Sequence, residues 1–232
     1  MKLAVIPARG GSKRIPRKNV REFCGKPIIA WSIEAALESG CFDRVMVSTD
    51  DLEIAEVART HGAEVPFVRP AELADDHTPT VPVVAHAIRW SEENLGAVEA
   101  ACCIYATAPF CRAEDLRQGW RLLQNNRVDY VFPVVSFGFA IQRAVRITSA
   151  GRVEMFYPEH ALTRSQDLEP AYHDAGQWYW GERDAWLAGR RIFGSDSEAM
   201  VIPGWRAVDI DTEEDWTRAE RLWEVLYASS DE

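Results

Sequence analysis

Five cations crowd around two glycines near the start of the chain. In "ARGGSKRIPRKN", residues 8 to 19, Arg9, Lys13, Arg14, Arg17 and Lys18 sit together in a protein whose formal net charge is -10. Such a loop, placed directly after the apolar run "LAVIP" at 3 to 7, has the chemistry of an anion site. Gly10 and Gly11 let the backbone turn and approach a ligand without a Cβ. Amides freed at such a turn can form an anion nest. Arg9 offers a planar fork and Lys13 a mobile point charge. Ser12 reads as a phosphate hydrogen-bond donor and not a nucleophile, having no histidine near it in sequence. Neither GxGxxG nor GxxxxGK[ST] is present, so a dinucleotide fold and a P-loop ATPase are both unsupported. A solvated basic loop is the bland alternative, and the packing of five cations around glycines after a buried strand weighs against it.

A second group of candidates lies near the end, in "DIDTEED" at 209 to 215. If 205 to 210 is a strand, Asp209 and Asp211 alternate at its end and point to one side. Two protein oxygens, with water and phosphate supplying the rest, is the usual manner of holding Mg²⁺. Asp50 closes an earlier strand in "STD". Asp211 alone could equally be a helix cap. Taken with the basic loop, the acids point to a polyphosphate and its metal in one pocket. Other residues carry less. His77 reads as a surface residue, and His160 and His173 form no metal spacing. HExxH, GxSxG and EF-hand patterns are absent. Phe156, Tyr157, Tyr172, Trp178, Tyr179 and Trp180, mixed with His173, Asp174 and Gln177, read as a pocket wall or subunit contact. Trp205 and Trp223 read as core or interface packing.

These groups need a scaffold, and the apolar pattern supplies one. Strands are expected at 3–7, 44–50, 63–68, 98–107, 128–135 and 205–210. Helices are expected at 26–40, 51–62, from 80 to about Trp90, at 113–125, and from Thr212 to Ala228. Pro27 fits a helix first turn, and Thr212 with Asp215 approaches a capping box. This βαβ rhythm predicts a layered α/β domain with right-handed crossovers and a mostly parallel sheet. From 140 to 158 the rhythm breaks into a hairpin about a Ser-Ala-Gly turn. A long polar-aromatic loop with short ordered pieces is expected over 162–181.

Composition narrows the class. The chain has 232 residues and a 47% hydrophobic fraction, which suits one domain with a sizeable core. Net acidity argues against a general nucleic-acid binder. The five cysteines are odd in number and have no CxxC spacing, so a reduced, cytoplasmic protein is expected. The first apolar run is too short for a signal peptide, and no stretch is long enough to span a bilayer.

The blocks "ARGGSKRIPRKN", "VSTDDLEIAEVA", "RPAELADD", "YATAPFCR" and "DIDTEED" occur in the order in which the acylneuraminate cytidylyltransferases carry theirs. The resemblance spans nearly the whole chain. It implies a Rossmann-like three-layer nucleotidyltransferase fold over residues 1–232, with a dimerisation and sugar-pocket excursion at 138–182. It implies attack of the anomeric hydroxyl of a nine-carbon 2-keto sugar acid on the α-phosphate of CTP, with Mg²⁺ as cofactor and a homodimer as the assembly. Carried onto this sequence, Arg9, Ser12 and Lys13 hold the triphosphate, with Ala8, Gly10 and Gly11 in the same loop. Lys18 lies near the α-phosphate and Asn19 helps place the nucleotide. Arg69 and the stretch from Asp75 through Thr78 to Pro79 border cytosine and ribose. Asp209 and Asp211 bind the metal. Lys18, Arg9 and Lys13 form the catalytic set.

Two departures bear on the acceptor. The common sialic acid enzymes carry "QPTSPLR" and a pattern near "NGAIY", where this chain has "YATAPFCR" and "DAGQWYWG". Both changes resemble the branch that activates pseudaminic acid, whose methyl terminus is apolar. The acceptor set implied is Tyr105, Tyr172, His173, Asp174, Gln177 and Trp178. N-acetylneuraminate or legionaminate is the alternative acceptor, and a non-catalytic nucleotide-binding subunit the alternative of another class.

Overall fold

The computed structural model describes residues 1–75 and 78–227. His77, and Ala228 at the expected end of the last helix, lie outside the described residues. In chain order the strands are β1 (Lys2–Pro7), β2 (Glu22–Phe23), β3 (Lys26–Pro27), β4 (Arg44–Ser48), β5 (Ala100–Ile104), β6 (Tyr130–Ser136), β7 (Val145–Ile147), β8 (Val153–Met155), β9 (Tyr172–Asp174), β10 (Trp178–Glu182) and β11 (Ser197–Val201). The helices are α1 (Ile28–Ser39), α2 (Leu52–Thr60), α3 (Thr80–Asn94), α4 (Ala113–Asn126), α5 (Arg183–Leu187) and α6 (Glu213–Tyr227).

The main sheet runs β11-β6-β10-β5-β1-β4, with β9 also paired to β6. β1 is parallel to β4 and β5, and β11 is parallel to β6, whereas β10 is antiparallel to both β5 and β6. The sheet is therefore mostly parallel, and strands apolar on both faces need helices over each. Along β1, Ala4 and Ile6 face a core built with Ile29 and Ile33 of α1, Ile54 of α2 and Leu116 and Leu123 of α4. Leu3 and Val5 face the other core, with Val84, Ala87 and Ile88 of α3 and Trp186 of α5. A third core beneath α6 gathers Ile15, Phe23, Ile28, Phe110, Ile210 and Trp216. This is the expected three-layer α/β architecture.

Three expectations fail, each for a physical reason. The segment 63–68 makes only isolated bridges, Met46 to Glu64 and Thr49 to Val68; Pro66, which cannot donate to a ladder, stands between them. The stretch 162–181 is more ordered than expected, because its last piece, Trp178 to Glu182, is a sheet strand running antiparallel between β5 and β6. Its register on β6 shifts across Ala175–Gln177, where Gly176 takes a φ of 63° that favours glycine. Lastly, 205–210 is not a strand: Gly204–Arg206 is a single 3-10 turn, and the strand of this region is Ser197–Val201. The hairpin of the excursion stands as expected, with Val145–Ile147 antiparallel to Val153–Met155. The capping box on α6 also forms: Thr212 N donates to Asp215 Oδ2 at 3.0 Å, and Asp215 N to Thr212 Oγ1 at 3.2 Å.

Candidate active site

The ends of β1 and β5 open into a cleft of about 300 Å³, lined by the basic loop, by Arg69 to Val83 in part, and by Tyr105 to Thr107. In open α/β sheets this carboxyl edge of the strands is where ligands bind. The loop reaches it by a defined route. Ala8 N donates to Ser48 O at 2.9 Å, which continues the sheet for one residue past β1. Gly10 N donates to Asp50 Oδ1 at 3.0 Å, so Asp50 holds the loop's backbone. A Cβ on Gly10 would lie 2.6 Å from Asp51 Oδ2, so the loop packs where only glycine fits. Gly11 faces open space, and neither glycine has positive φ. The backbone does turn there, with Ser12 N donating to Gly10 O at 3.1 Å, and the left-handed residue of the loop is Arg17, with φ 56°.

Arg17 is turned away from the cleft. Its guanidinium forks onto Asp51 at 2.6 and 3.0 Å and also pairs with Glu53. Asp51 in turn caps α2, accepting from Glu53 N and Ile54 N at 3.0 Å each. Led by the bond from Arg17, these donors hold the Asp51 carboxyl down at about 2. The loop's far end returns to its start through Asn19, whose Nδ2 donates to Arg9 O at 2.9 Å. What remains for the cleft is Arg9, Ser12, Lys13, Arg14 and Lys18.

Arg69 enters from the other side. It is buried, and its Nε donates to Ser48 Oγ at 3.1 Å while Nη2 donates to Ser48 O. Burial is the main force lowering its affinity for the proton, to about 10, so it still carries its charge at neutral pH. Arg9 Nη1 donates to Asp75 O at 3.1 Å, and Asp75 Oδ1 accepts from Thr78 N at 2.6 Å. The loop and the 69–80 stretch thus meet across the cleft mouth.

The late acids arrive without a strand. Val208 and Ile210 turn into the third core, which leaves Asp209 and Asp211 on the opposite side. Lys18 Nζ donates to Ile210 O, and lies 3.4 Å from Asp211 Oδ1. Arg14 Nη1 donates to Asp211 Oδ2 at 2.8 Å. Surrounding protein, then the neighbouring Asp211, push the Asp209 carboxyl above the usual range; Lys18 opposes them. The sequence-expected side-by-side acids and the basic loop therefore meet, through Lys18 and Arg14.

The acceptor set divides. Tyr105 lines the cleft, with its hydroxyl 3.4 Å from Thr80 Oγ1. Tyr179 is buried behind it, at a ring separation of 5.3 Å, and donates its hydroxyl to Asp174. Gln177 is buried and spends its amide on Arg206 O. Trp178 and Trp180 are fully buried core, not pocket wall; Trp178 packs so tightly on Gly119 that a Cβ there would lie 2.5 Å away. Tyr172 and His173 are exposed on β9, outside the cleft lining, and the His173 ring sits against Phe137. Phe156 and Tyr157 are exposed on the excursion, Trp205 is exposed under Arg112, and Trp223 packs on the third core. Pro79 lines the cleft as expected, while Leu73, Thr80, Val83, Ala106 and Thr107 line it with no role drawn from sequence. Only their position just after a strand or between two motif blocks could have marked them.

Known proteins match this chain closely. A sequence profile described as cytidylyltransferase matches residues 3–215. The pseudaminic acid cytidylyltransferase of Campylobacter jejuni subsp. jejuni serotype O:2 is 44% identical over 228 residues, which covers 98% of each chain. A CMP-N,N'-diacetyllegionaminic acid synthase of Legionella pneumophila is 31% identical, covering 96% of each. Among solved structures, a CMP:2-keto-3-deoxy-manno-octonic acid synthetase complexed with CTP superposes with a TM-score of 0.70 at 17% identity, covering 97% of this chain and 99% of that one. That likeness concerns the fold. With its profile match and its full-length relatives, the chain belongs to the cytidylyltransferase family of enzymes.

Proposed function

We propose that the chain transfers CMP from CTP to the anomeric hydroxyl of a nonulosonic acid, in the first place pseudaminic acid, and releases diphosphate. The observation that carries this reading is the convergence of Lys18 and Arg14, which line the cleft, on Asp211 of the late acid segment. Pseudaminic acid is favoured by the 44% identity to the Campylobacter enzyme over nearly the whole length. Tyr105, with Val83, Leu73 and Pro79, gives the cleft an apolar share suited to a methyl-bearing sugar end.

In this reading Arg9, Ser12 and Lys13 take the outer phosphates, and Lys18 faces the α-phosphate. Arg69 and the Asp75–Thr78 turn border the nucleoside, as the relatives' use of CTP suggests; Asp76 and His77 of that stretch lie outside the described residues. Asp209 and Asp211 would hold Mg²⁺. The residues present fit such a cation. Surrounding protein first, and the neighbouring Asp211 carboxylate second, raise the Asp209 carboxyl, and a cation between the two acids would offset both. No cluster of three or more acidic, histidine or cysteine ligands gathers among the described residues, so water and phosphate would complete the shell. A bound Mg²⁺ supplies neutralisation of phosphate charge.

Lys18 stands where negative charge grows as the attacking oxygen arrives and diphosphate leaves. A fixed cation there acts most on the transition state. The described helices include none long and apolar enough to cross a membrane. Use of CTP favours the cytoplasm. A homodimer formed through the 138–182 excursion of a single nucleotidyltransferase domain is supported by its exposed apolar side chains: Phe139, Ile147 and Leu162 are 90%, 77% and 97% exposed.

Incubation with CTP, Mg²⁺ and pseudaminic acid tests the reading. A product whose mass and phosphorus spectrum fit one CMP joined to one sugar acid is expected, with one diphosphate released per product. Absence of product with pseudaminate, legionaminate and N-acetylneuraminate alike would restore a non-catalytic nucleotide-binding subunit.

A further inference from the structure

The stretch that carries Asp209 and Asp211 has no strand ladder to hold it, so its position must be set by side chains. Downstream of Asp209, Ile210 is anchored in the third core and Asp211 N leans on Asp215 Oδ2 at 3.3 Å. Upstream the anchor is Arg206. Its residue is 5% exposed, and its guanidinium meets Asp115, which is 8% exposed in the first turn of α4. Nη1 donates to Asp115 Oδ1 at 3.4 Å, and Nη2 pairs with the other carboxylate oxygen. The main chain of the same residue is held as well: Gln177 Nε2 donates to Arg206 O. Gln177 O accepts from Tyr105 N at 2.8 Å. One buried glutamine therefore joins the cleft end of β5 to the turn that precedes the acids.

Stability alone is a poor account of this arrangement. Two charges taken from water repay their desolvation only with good geometry, and well-packed apolar substitutes often serve the fold as well or better. Fixing register is the best-attested use of a buried polar pair. We propose that Asp115, Arg206 and Gln177 are positioning residues that set where Asp209 and Asp211 stand against Lys18, and through them how tightly a divalent cation is held beside the nucleotide. The proposal rests on the reading of Asp209 and Asp211 as cation ligands. None of the three lines the cleft, so they act through the acid segment and touch no substrate.

The test uses the full chain carrying Asp115→Leu together with Arg206→Met, which removes both charges and keeps apolar bulk. Binding of Mn²⁺ is followed by the loss of its free electron-spin signal, with CTP present and no acceptor acid. Thermal unfolding and steady-state kinetics accompany it. The unfolding midpoint should stay within about 5 °C, as expected when a buried pair is replaced whole. Mn²⁺ affinity should fall about tenfold or more, the usual cost of losing an outer partner of a metal ligand. In turnover, kcat and the half-saturating metal concentration should shift while KM for the acceptor acid stays within about twofold, a split that a general loss of fold would not give.

Gln177→Met, which leaves the ion pair intact, should weaken Mn²⁺ binding in the same direction by a smaller factor. Arg206→Lys keeps the charge without the fork and should fall between wild type and the double variant. A folded double variant with Mn²⁺ affinity and kcat both within twofold of wild type overturns the proposal. If the double variant does not fold, unchanged Mn²⁺ affinity in Gln177→Met overturns it instead. Wild-type protein that binds no Mn²⁺ beside CTP overturns it together with the cation reading. Wild-type protein that binds Mn²⁺ but makes no CMP-sugar defeats only the proposed function, and the binding comparison still decides this proposal.

Discussion

Lys18 Nζ lies 3.4 Å from Asp211 Oδ1, although 193 positions separate the two residues in the chain. The contact joins the basic loop after the first strand to the acids before the last helix. It makes one site of two motifs that carry opposite charge. Phosphate needs the first, a divalent cation needs the second, and the contact brings the two segments side by side.

Lys18→Ala should lower kcat by about a hundred- to a thousandfold, the usual cost of one well-placed electrostatic contact. KM for CTP should change modestly, because Arg9 and Lys13 still line the cleft. Arginine should restore only part of the rate, its planar fork being a poor substitute for a compact ammonium that donates to Ile210 O. Steady-state kinetics at saturating CTP, acceptor and Mg²⁺ check this; an unchanged kcat would remove Lys18 from the catalytic group.

Asp209→Asn should lose most metal-dependent turnover and yet slightly stabilise the fold at neutral pH. Surrounding protein and Asp211 raise the Asp209 carboxyl. A group raised in the folded state contributes stability below its unfolded value of about 3.9, and that contribution is lost as pH rises through its folded value. At pH 7 the charged carboxylate is therefore a small cost, and its removal should raise the melting temperature slightly. Melting curves at pH 7 and near pH 3 should show the gain present at the first and absent at the second. A lower melting temperature for the variant at pH 7 would contradict the reading.

Arg17→Ala should destabilise the protein by about 0.5–1 kcal/mol, the upper range for an ion pair that solvent partly screens. Arg17 is the leading cause of the Asp51 carboxyl's drop to about 2. Its depressed value means that the stabilisation is present above the unfolded value of about 3.9 and is lost as pH falls through the folded one. The difference in denaturant midpoint between wild type and variant should accordingly shrink between about pH 4 and pH 2. A difference that is flat with pH would argue that Asp51 is not what Arg17 serves.

Trp178→Ala should cost about 3–5 kcal/mol of stability, as for a large aromatic lost from a packed core. The side chain is fully buried against Gly119. Tyr105→Ala, by contrast, changes a cleft residue and should raise KM for the acceptor acid. A large KM effect from Trp178→Phe in a fully folded protein would return Trp178 to the acceptor pocket.

Much of the fold is legible because parallel strands covered on both faces read as unbroken apolar runs, as "LAVIP" and "AACCI" do. The antiparallel strand Trp178–Glu182 escapes that reading. Its neighbours Asp174, Gly176 and Gln177 look like a loop, and its aromatic residues look like a ligand cage. Trp178 and Trp180 in fact enter one core and Tyr179 the other. The run "WRAVDI" misleads in the opposite sense. Its alternation is genuine, but Val208 and Ile210 satisfy it by packing under α6 and not by pairing in a sheet. Asp209 and Asp211 consequently sit together as the spacing implies, on a segment of another kind. The charges of the basic loop are legible, while their division is not. Arg17 leaves the cleft because Asp51 and Glu53, placed by the start of α2, face it. That pairing depends on tertiary placement.

The most direct test is the ratio of kcat/KM for pseudaminic acid to that for N-acetylneuraminic acid, measured by diphosphate release at saturating CTP and Mg²⁺. A site whose fixed groups match one sugar and leave polar groups unpaired with the other discriminates strongly. The ratio should exceed about ten, since even one misplaced group in a pocket commonly costs that factor. A ratio at or below one, or diphosphate release that is independent of any sugar acid, would contradict the account.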